Sequence, residues 1–236
     1  MNSLIYRQMK KKLLKRLHKW GLLRSGLYKH MLQLHGVSIG DNTFIHPDTS
    51  VDITRPSLVT IGSNCYLNKG LILLTHDYVS GVMRNVYHDF LNSSGKVVIG
   101  NNVGTGYNVT ILKGVTIGDN CFIAANSLVT KDVPSNVIVG GQPARVLCTL
   151  EEYYAKRKTE CISEALEYAR SIKERFHRQP VASDFWEEFH LFIDKENLND
   201  FDKNIIVSQL GKENFDKWLS NHKKVFSNLD DFLSNM

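Results

Sequence analysis

An aliphatic residue returns on a six-residue beat between Ile99 and Val133, at Ile99, Ile111, Ile117, Ile123 and Val129, with Thr105 as the one polar member. Four residues after each comes another small or branched side chain, at Val103, Val109, Val115, Cys121, Ser127 and Val133. A period of six fits neither the 3.6 residues of a helical turn nor the alternation of an ordinary strand. It describes a repeat in which each hexad supplies one short strand and one turn, and three hexads close a triangular coil of a parallel β-helix. The intervening tripeptides agree. Gly100-Asn101-Asn102, Gly118-Asp119-Asn120 and Ala124-Ala125-Asn126 hold the small and Asn/Asp residues that accept tight or left-handed backbone.

The repeat begins near Val37. Ile39, Ile45 and Val51 keep the beat, an irregularity at Arg55-Pro56-Ser57 shifts its phase, and Ile61, Leu67 and Leu73 resume it. Residues 77–96 then carry no hexad, and the beat returns at Val97. A loop of that length inside a solenoid is expected to be functional or disordered. Its Tyr78, Tyr87, His88, Asp89 and Phe90 favour an ordered, protruding loop over a flexible linker.

Two helical segments flank the repeat. Ile5, Met9, Leu13, Leu17 and Trp20 recur at helical spacing opposite Lys10, Lys11, Lys12, Lys15, Arg16 and Lys19, which predicts a basic amphipathic helix. Its apolar stripe is expected to cap the open first coil; peripheral contact with an anionic membrane surface is the alternative. After Pro134 to Arg145 close the solenoid, a helix is predicted from Glu151 to about Arg178, a second helical stretch over Asp184 to Asp194, and one or two more between Phe201 and Leu233. Phe185, Trp186, Phe189 and Phe192 form an ordinary core stripe. The expected organisation is therefore mainly β, with an N-terminal helical segment (1–35), a β-helix domain (36–148) carrying the loop 77–96, and a C-terminal helical extension (149–236).

Composition narrows the function. At 236 residues, 42% hydrophobic and 22% charged, the chain can bury one sizeable core with small attachments. No apolar run approaches the roughly 20 residues that span a bilayer, and the basic N-terminus lacks the apolar stretch of a secretory signal, so a cytoplasmic location is expected. Cys65 and Cys121 fall on small-residue beats, Cys148 and Cys161 are scattered, and there is no CxxC pair, which predicts reduced thiols and no zinc knuckle. Much of the net charge of +5 lies before residue 30, which argues against nucleic-acid binding by the body of the protein.

Residues 37–148 resemble the left-handed β-helix acyltransferases, the hexapeptide-repeat family that includes maltose, galactoside and capsule or O-antigen O-acetyltransferases. The likeness is carried by Thr75-His76-Asp77 and the loop after it, by Val98-Ile99-Gly100-Asn101-Asn102-Val103, and by Gly114-Val115-Thr116-Ile117-Gly118-Asp119-Asn120. Its most specific part is the closing run from Asn126 through Pro134, followed by Gly140-Gly141-Gln142-Pro143-Ala144-Arg145. The resemblance implies a left-handed solenoid, a homotrimer, and acetyl-CoA lying in the groove between neighbouring solenoids, with no metal. The left hand comes from the resemblance alone, since periodicity carries no handedness and parallel crossovers are normally right-handed.

Transfer of an acetyl group from a thioester to a sugar hydroxyl needs a base, and histidine suits the task because its reference pKa of about 6.5 lets it take and return a proton near neutrality. His76 occupies the position matching the family's catalytic histidine. The resemblance further assigns Gly106 and Tyr107 to the coil that stabilises the oxyanion, Ala125 and Thr130 to the pantetheine arm, and Lys131 and Arg145 to the phosphates. Here Val103-Gly104-Thr105-Gly106 stands where many relatives place Trp-Ile-Gly after Val, a departure expected to reshape the groove. Asp48, Asp52, Asp77 and Asp89 are acidic candidates to orient the imidazole or hold the acceptor, with solvated turns as the competing reading; Tyr87 and His88 are candidate acceptor contacts. The expected activity is acetyl-CoA-dependent O-acetylation of a sugar in a surface polysaccharide or its precursor, in the cytoplasm or at the inner face of the membrane. Alternatives are N-acetylation of an amino sugar or another small acceptor, a γ-type carbonic anhydrase using His46, His76 and His88, and a non-catalytic trimeric scaffold.

Overall fold

The computed structural model describes residues 9–14 and 24–236. Two compact units divide the chain, the first ending at Tyr153 and the second running from Tyr154 to Met236.

In the first unit every predicted beat becomes a strand. The strands β1 (Ser38–Ile39), β4 (Val59–Ile61), β7 (Val97–Ile99) and β10 (Thr116–Ile117) stack in one sheet. A second contains β2 (Phe44–Ile45), β5 (Tyr66–Leu67), β8 (Gly104–Thr105), β11 (Phe122–Ile123), β13 (Val137–Gly141) and β14 (Ala144–Thr149). The third contains β3 (Ser50–Val51), β6 (Ile72–Leu73), β9 (Thr110–Ile111) and β12 (Leu128–Val129). Each strand pairs in parallel with the one three places later, as a three-sided solenoid requires, until β13 and β14 close the stack as an antiparallel pair.

Register exposes the two irregularities. Ser38 pairs with Thr60, Thr60 with Val98 and Val98 with Thr116, so successive coils advance by 22, 38 and 18 residues. The last is the plain three-hexad coil; the first contains the turn at Arg55 and the second the segment 77–96.

Two side chains per hexad point inward, the beat residue and the one four positions later. Ile99, Ile111, Ile117, Ile123 and Val129 are all buried, as are Val103, Val109, Val115, Cys121, Ser127 and Val133. Thr105 is fully buried in the same row, where its hydroxyl accepts the Asn68 N–H at 2.9 Å, so it faces the solenoid interior. Corners turn through left-handed asparagines, including Asn102, Asn120 and Asn126, at φ between 53° and 58°. Asn102, Asn120 and Asn136 stack into a ladder of side-chain amide hydrogen bonds at 2.9 Å. Asparagine suits such a corner because its short polar side chain tolerates this backbone and bonds along the stack.

The helix α1 (Ser25–His35) covers the first coil. Tyr28, Met31 and Leu32 bury into the solenoid core, and the Tyr28 hydroxyl donates to Thr49 O at 2.8 Å. Residues 9–14 are also helical, but Leu14 is the buried member while Met9 and Leu13 of the predicted stripe are exposed. Ile5, Leu17 and Trp20 lie outside the described residues. The segment 77–96 is ordered and, unlike the loop expected, contains a nine-residue helix, α2 (Val79–Tyr87).

The second unit is helical: most of α3 (Leu150–Phe176), then α4 (Lys203–Leu210), α5 (Lys212–Asn221) and α6 (Leu229–Ser234). Where a helix was expected over 184–194 there are short 3₁₀ turns, Ala182–Asp184 and Glu188–Leu191. Phe185, Phe189 and Phe192 are buried core residues, whereas Trp186 is about half exposed. Among the described residues helical content is 41%, which corrects the expectation of a mainly β chain. No described helix is long and apolar enough to cross a membrane.

Candidate active site

Parallel pairing of β3 with β6 places Val51 opposite Leu73, and Asp52 N donates to Leu73 O at 3.1 Å. The residues leaving these strands, Asp52 from one and Thr75 and His76 from the other, consequently meet. His76 Nδ1 lies 2.6 Å from Asp52 Oδ2. Thr75 donates to the same oxygen through its N–H at 3.2 Å and through its hydroxyl. Thr54 donates to Oδ1 through its N–H at 3.0 Å and its hydroxyl at 2.6 Å.

The Asp52 side chain is only 6% exposed. Burial pushes its carboxyl upward, but hydrogen bonds from the Thr54 and Thr75 hydroxyls, the Thr54 N–H and His76 outweigh that and hold the acid well below the usual carboxylate range. An ionised carboxylate only accepts, so the proton between Asp52 and His76 belongs to Nδ1, and Nε2 carries the free lone pair.

The ends of the 77–96 segment fix the other side of the imidazole. His76 forms an antiparallel bridge with Ser94, Gly95 N donates to Thr75 O at 2.9 Å, and Lys113 Nζ lies 2.5 Å from Asp77 Oδ2. Hydrogen bonding to Lys113 is the largest cause holding the Asp77 carboxyl below its ordinary value. Tyr78 packs edge-on against the His76 ring, with centroids 5.1 Å apart. The result is a cavity of ≈ 390 Å³ lined by Thr54, Arg55, His76, Asp77, Tyr78, Ser80, Phe90, Asn92 and Ser93.

Other predicted residues lie elsewhere. Asp48 sits on an exposed turn 3.7 Å from Lys69 Nζ and does not line this cavity. Tyr87 ends α2 and His88 caps it in the left-handed region; both are exposed and away from the cavity wall. Gly106 N donates to Ile123 O at 2.7 Å, so its N–H is taken up by the coil ladder, and a Cβ there would lie 2.4 Å from Ala125 N. Tyr107 is exposed, and its carbonyl accepts Asn126 N at 2.8 Å. Lys131 and Arg145 come together on a second cavity of ≈ 240 Å³ with Val129, Val133, Pro134 and Val139, while Ala125 and Thr130 are exposed on neighbouring turns. Asp132 also lines this second cavity, with Oδ1 accepting Thr116 N at 2.7 Å, and the two cations beside the apolar residues fit a ligand with phosphates and an aliphatic arm. Among the described residues no cluster of three or more His, Cys, Asp and Glu is arranged to hold a metal ion.

Sequence reasoning offered Asp52 as one of four carboxylates that could orient the imidazole or hold the acceptor, without choosing among them, and missed Thr54, Arg55 and Thr75. The available signal was the beat itself: carrying it across the Arg55 irregularity sets Val51 against Leu73 and hence Asp52 next to the histidine.

Residues 96–131 match the family described as Bacterial transferase hexapeptide (six repeats). Protein CapG of Staphylococcus aureus is 36% identical over 136 residues, covering 57% of this chain and 78% of that protein. Galactoside O-acetyltransferase of Escherichia coli K12 is 35% identical over 156 residues, covering 56% of this chain and 73% of that enzyme. Among solved structures, the hexapeptide-repeat containing acetyltransferase VCA0836 of Vibrio cholerae, complexed with acetyl coenzyme A, is 26% identical and covers 61% of this chain and 87% of its own, with a TM-score of 0.49. Identity of this level over more than two thirds of CapG and of the galactoside enzyme, on the six-residue repeats that the strands display, shows that the chain belongs to the hexapeptide-repeat transferase family, as an acetyltransferase.

Proposed function

We propose that this acetyltransferase moves the acetyl group of acetyl-CoA onto a hydroxyl of a sugar in a surface polysaccharide or its lipid- or nucleotide-linked precursor, with His76 as general base. The observation that carries the reading is His76, paired with Asp52, on the wall of a cavity large enough for a sugar.

His76 Nε2 takes the proton of the acceptor hydroxyl as its oxygen attacks the acetyl carbonyl. The imidazolium formed is stabilised by the Asp52 carboxylate 2.6 Å from Nδ1. As the carbon–oxygen bond forms and the carbon–sulfur bond breaks, His76 returns that proton to the leaving sulfur and ends neutral. Acetyl-CoA supplies the activated thioester. Because the Gly106 N–H already bonds Ile123 O, stabilisation of the developing oxyanion falls to the N–H of Tyr107.

Lys131 and Arg145 hold the phosphates, and Ala125 and Thr130 border the pantetheine arm. Asp77 contacts the acceptor from the cavity wall; Tyr87, His88 and Asp48 reach only a saccharide that extends beyond it. A left-handed coil, a homotrimer and a donor groove between neighbouring solenoids follow from the family resemblance, and use of acetyl-CoA implies a cytoplasmic location.

The test is His76→Ala, followed by release of free CoA with acetyl-CoA and a panel of sugars. The variant should stay folded and bind CoA while losing transfer by about 100- to 10,000-fold. Transfer near the wild-type rate would show that His76 is not the base.

A further inference from the structure

The turn that interrupts the first coil delivers a charged residue to the acceptor cavity. Pro56 opens a 3₁₀ turn, Pro56–Leu58, and Leu58 N donates to Arg55 O at 3.0 Å, so Arg55 is presented from a closed backbone turn. It lies three residues after Asp52 and lines the same cavity as His76.

The other ionisable groups on that wall are already engaged. His76 holds its Nδ1 proton against the buried Asp52 carboxylate at 2.6 Å, which Thr54 and Thr75 also hydrogen-bond, and Asp77 has Lys113 at 2.5 Å together with the Ser93 hydroxyl at 3.0 Å. Arg55 forms no ion pair with any described residue, although its surface is only partly open to solvent. What this wall offers a ligand is therefore one uncompensated guanidinium beside the base. A neutral sugar would leave it without a charged partner. A carboxylate or phosphate would receive two parallel N–H donors from it, which is the geometry in which arginine discriminates most strongly.

We propose that Arg55 sets acceptor specificity and that the acceptor is an acidic sugar, bearing a carboxylate or phosphate close to the hydroxyl that is acetylated. This rests on the reading that the His76 cavity holds the acceptor. It adds to that reading a substrate class and a function for the break in the repeat.

The experiment uses matched acceptors, namely glucose, glucuronic acid and glucose 6-phosphate, and the corresponding galactose set, with kcat/KM measured by CoA release. The wild-type protein should favour at least one anionic member over its neutral counterpart by about 10- to 100-fold, the worth of a charge-assisted hydrogen-bonded contact. Comparison of the two anionic arms tells carboxylate from phosphate. Arg55→Gln should reduce the anionic-to-neutral ratio by about the same factor, chiefly through KM, while Arg55→Lys, which keeps the charge and loses the fork, should fall between. A wild-type ratio near one, or a ratio that Arg55→Gln does not move, overturns the inference. Such a result leaves the proposed chemistry standing if transfer still depends on His76. If no sugar in either set is acetylated, the sugar-acceptor reading falls and this inference falls with it.

Discussion

Replacing Asp52 by asparagine removes one charge and keeps nearly the same shape, which makes it the sharpest probe of the proposed chemistry. His76 Nδ1 is 2.6 Å from Asp52 Oδ2, which puts the charge centres of an imidazolium and this carboxylate about 4 Å apart, and at an effective dielectric of about 20 their attraction is worth about 4 kcal/mol. The carboxylate side chain is only 6% exposed, so solvent screening removes little of this. Since each 1.4 kcal/mol is tenfold, loss of the charge should lower kcat by about a thousandfold. The substitution also sets an amide NH₂ against donors it cannot accept from, either the two of Thr54 or those of Thr75 and His76. If it faces His76, the ring must carry its proton on Nε2 and the base is lost outright. Steady-state kinetics should show the fall in kcat with KM for both substrates within about threefold of wild type, because Asp52 orients the base and touches neither substrate. Thermal melting monitors the accompanying stability loss of about 1–3 kcal/mol from unsatisfied donors. A folded Asp52→Asn protein whose kcat stays within about tenfold of wild type would refute the electrostatic reasoning.

Two further outcomes are expected. The folded-state value of Asp52 lies below the roughly 3.9 of an unfolded aspartate, so its stabilisation is fully present above about pH 4 and is lost as the pH falls through the folded-state value. Urea midpoints should therefore drop more steeply below about pH 4 for the wild-type protein than for Asp52→Asn, and parallel curves would contradict the assignment. Replacing Lys131 and Arg145 together by alanine should raise KM for acetyl-CoA by about tenfold or more with little change for acetyl-pantetheine, which lacks the nucleotide phosphates. Equal losses with both donors would place the phosphates elsewhere.

The solenoid was legible in the chain because its core is one-dimensional. Each hexad aims two side chains inward at a fixed spacing, so burial of Ile99, Ile111, Ile117, Ile123 and Val129, and of Val103, Val109, Val115, Cys121, Ser127 and Val133, follows from position in the repeat. Interruptions were legible for the same reason: Arg55 and the segment 77–96 stand out as breaks in register, and the coils advance by 22 and 38 residues where they occur. Inside the longer break the reading was coarser and missed α2, although Val79, Val82, Met83 and Val86 stand at the i, i+3, i+4 and i+7 spacing of a helix; the signal is only nine residues long and contains Gly81, a poor helix former. The second unit was similarly blurred, since Phe185, Phe189 and Phe192 enter a core whether they stand on a helix or on 3₁₀ turns.

By itself, then, the sequence determined the repeat, its register and the position of the histidine, because these depend on spacing along one chain. Only the tertiary structure decided which carboxylate holds that histidine, that Gly106 has no N–H to spare, and that Arg55 shares its cavity. Those are contacts between residues a coil or more apart, made by stacking β3 beneath β6 across an irregular turn. Of Asp48, Asp52, Asp77 and Asp89, only Asp52 lies within hydrogen-bonding distance of His76, where two threonines can hold it ionised.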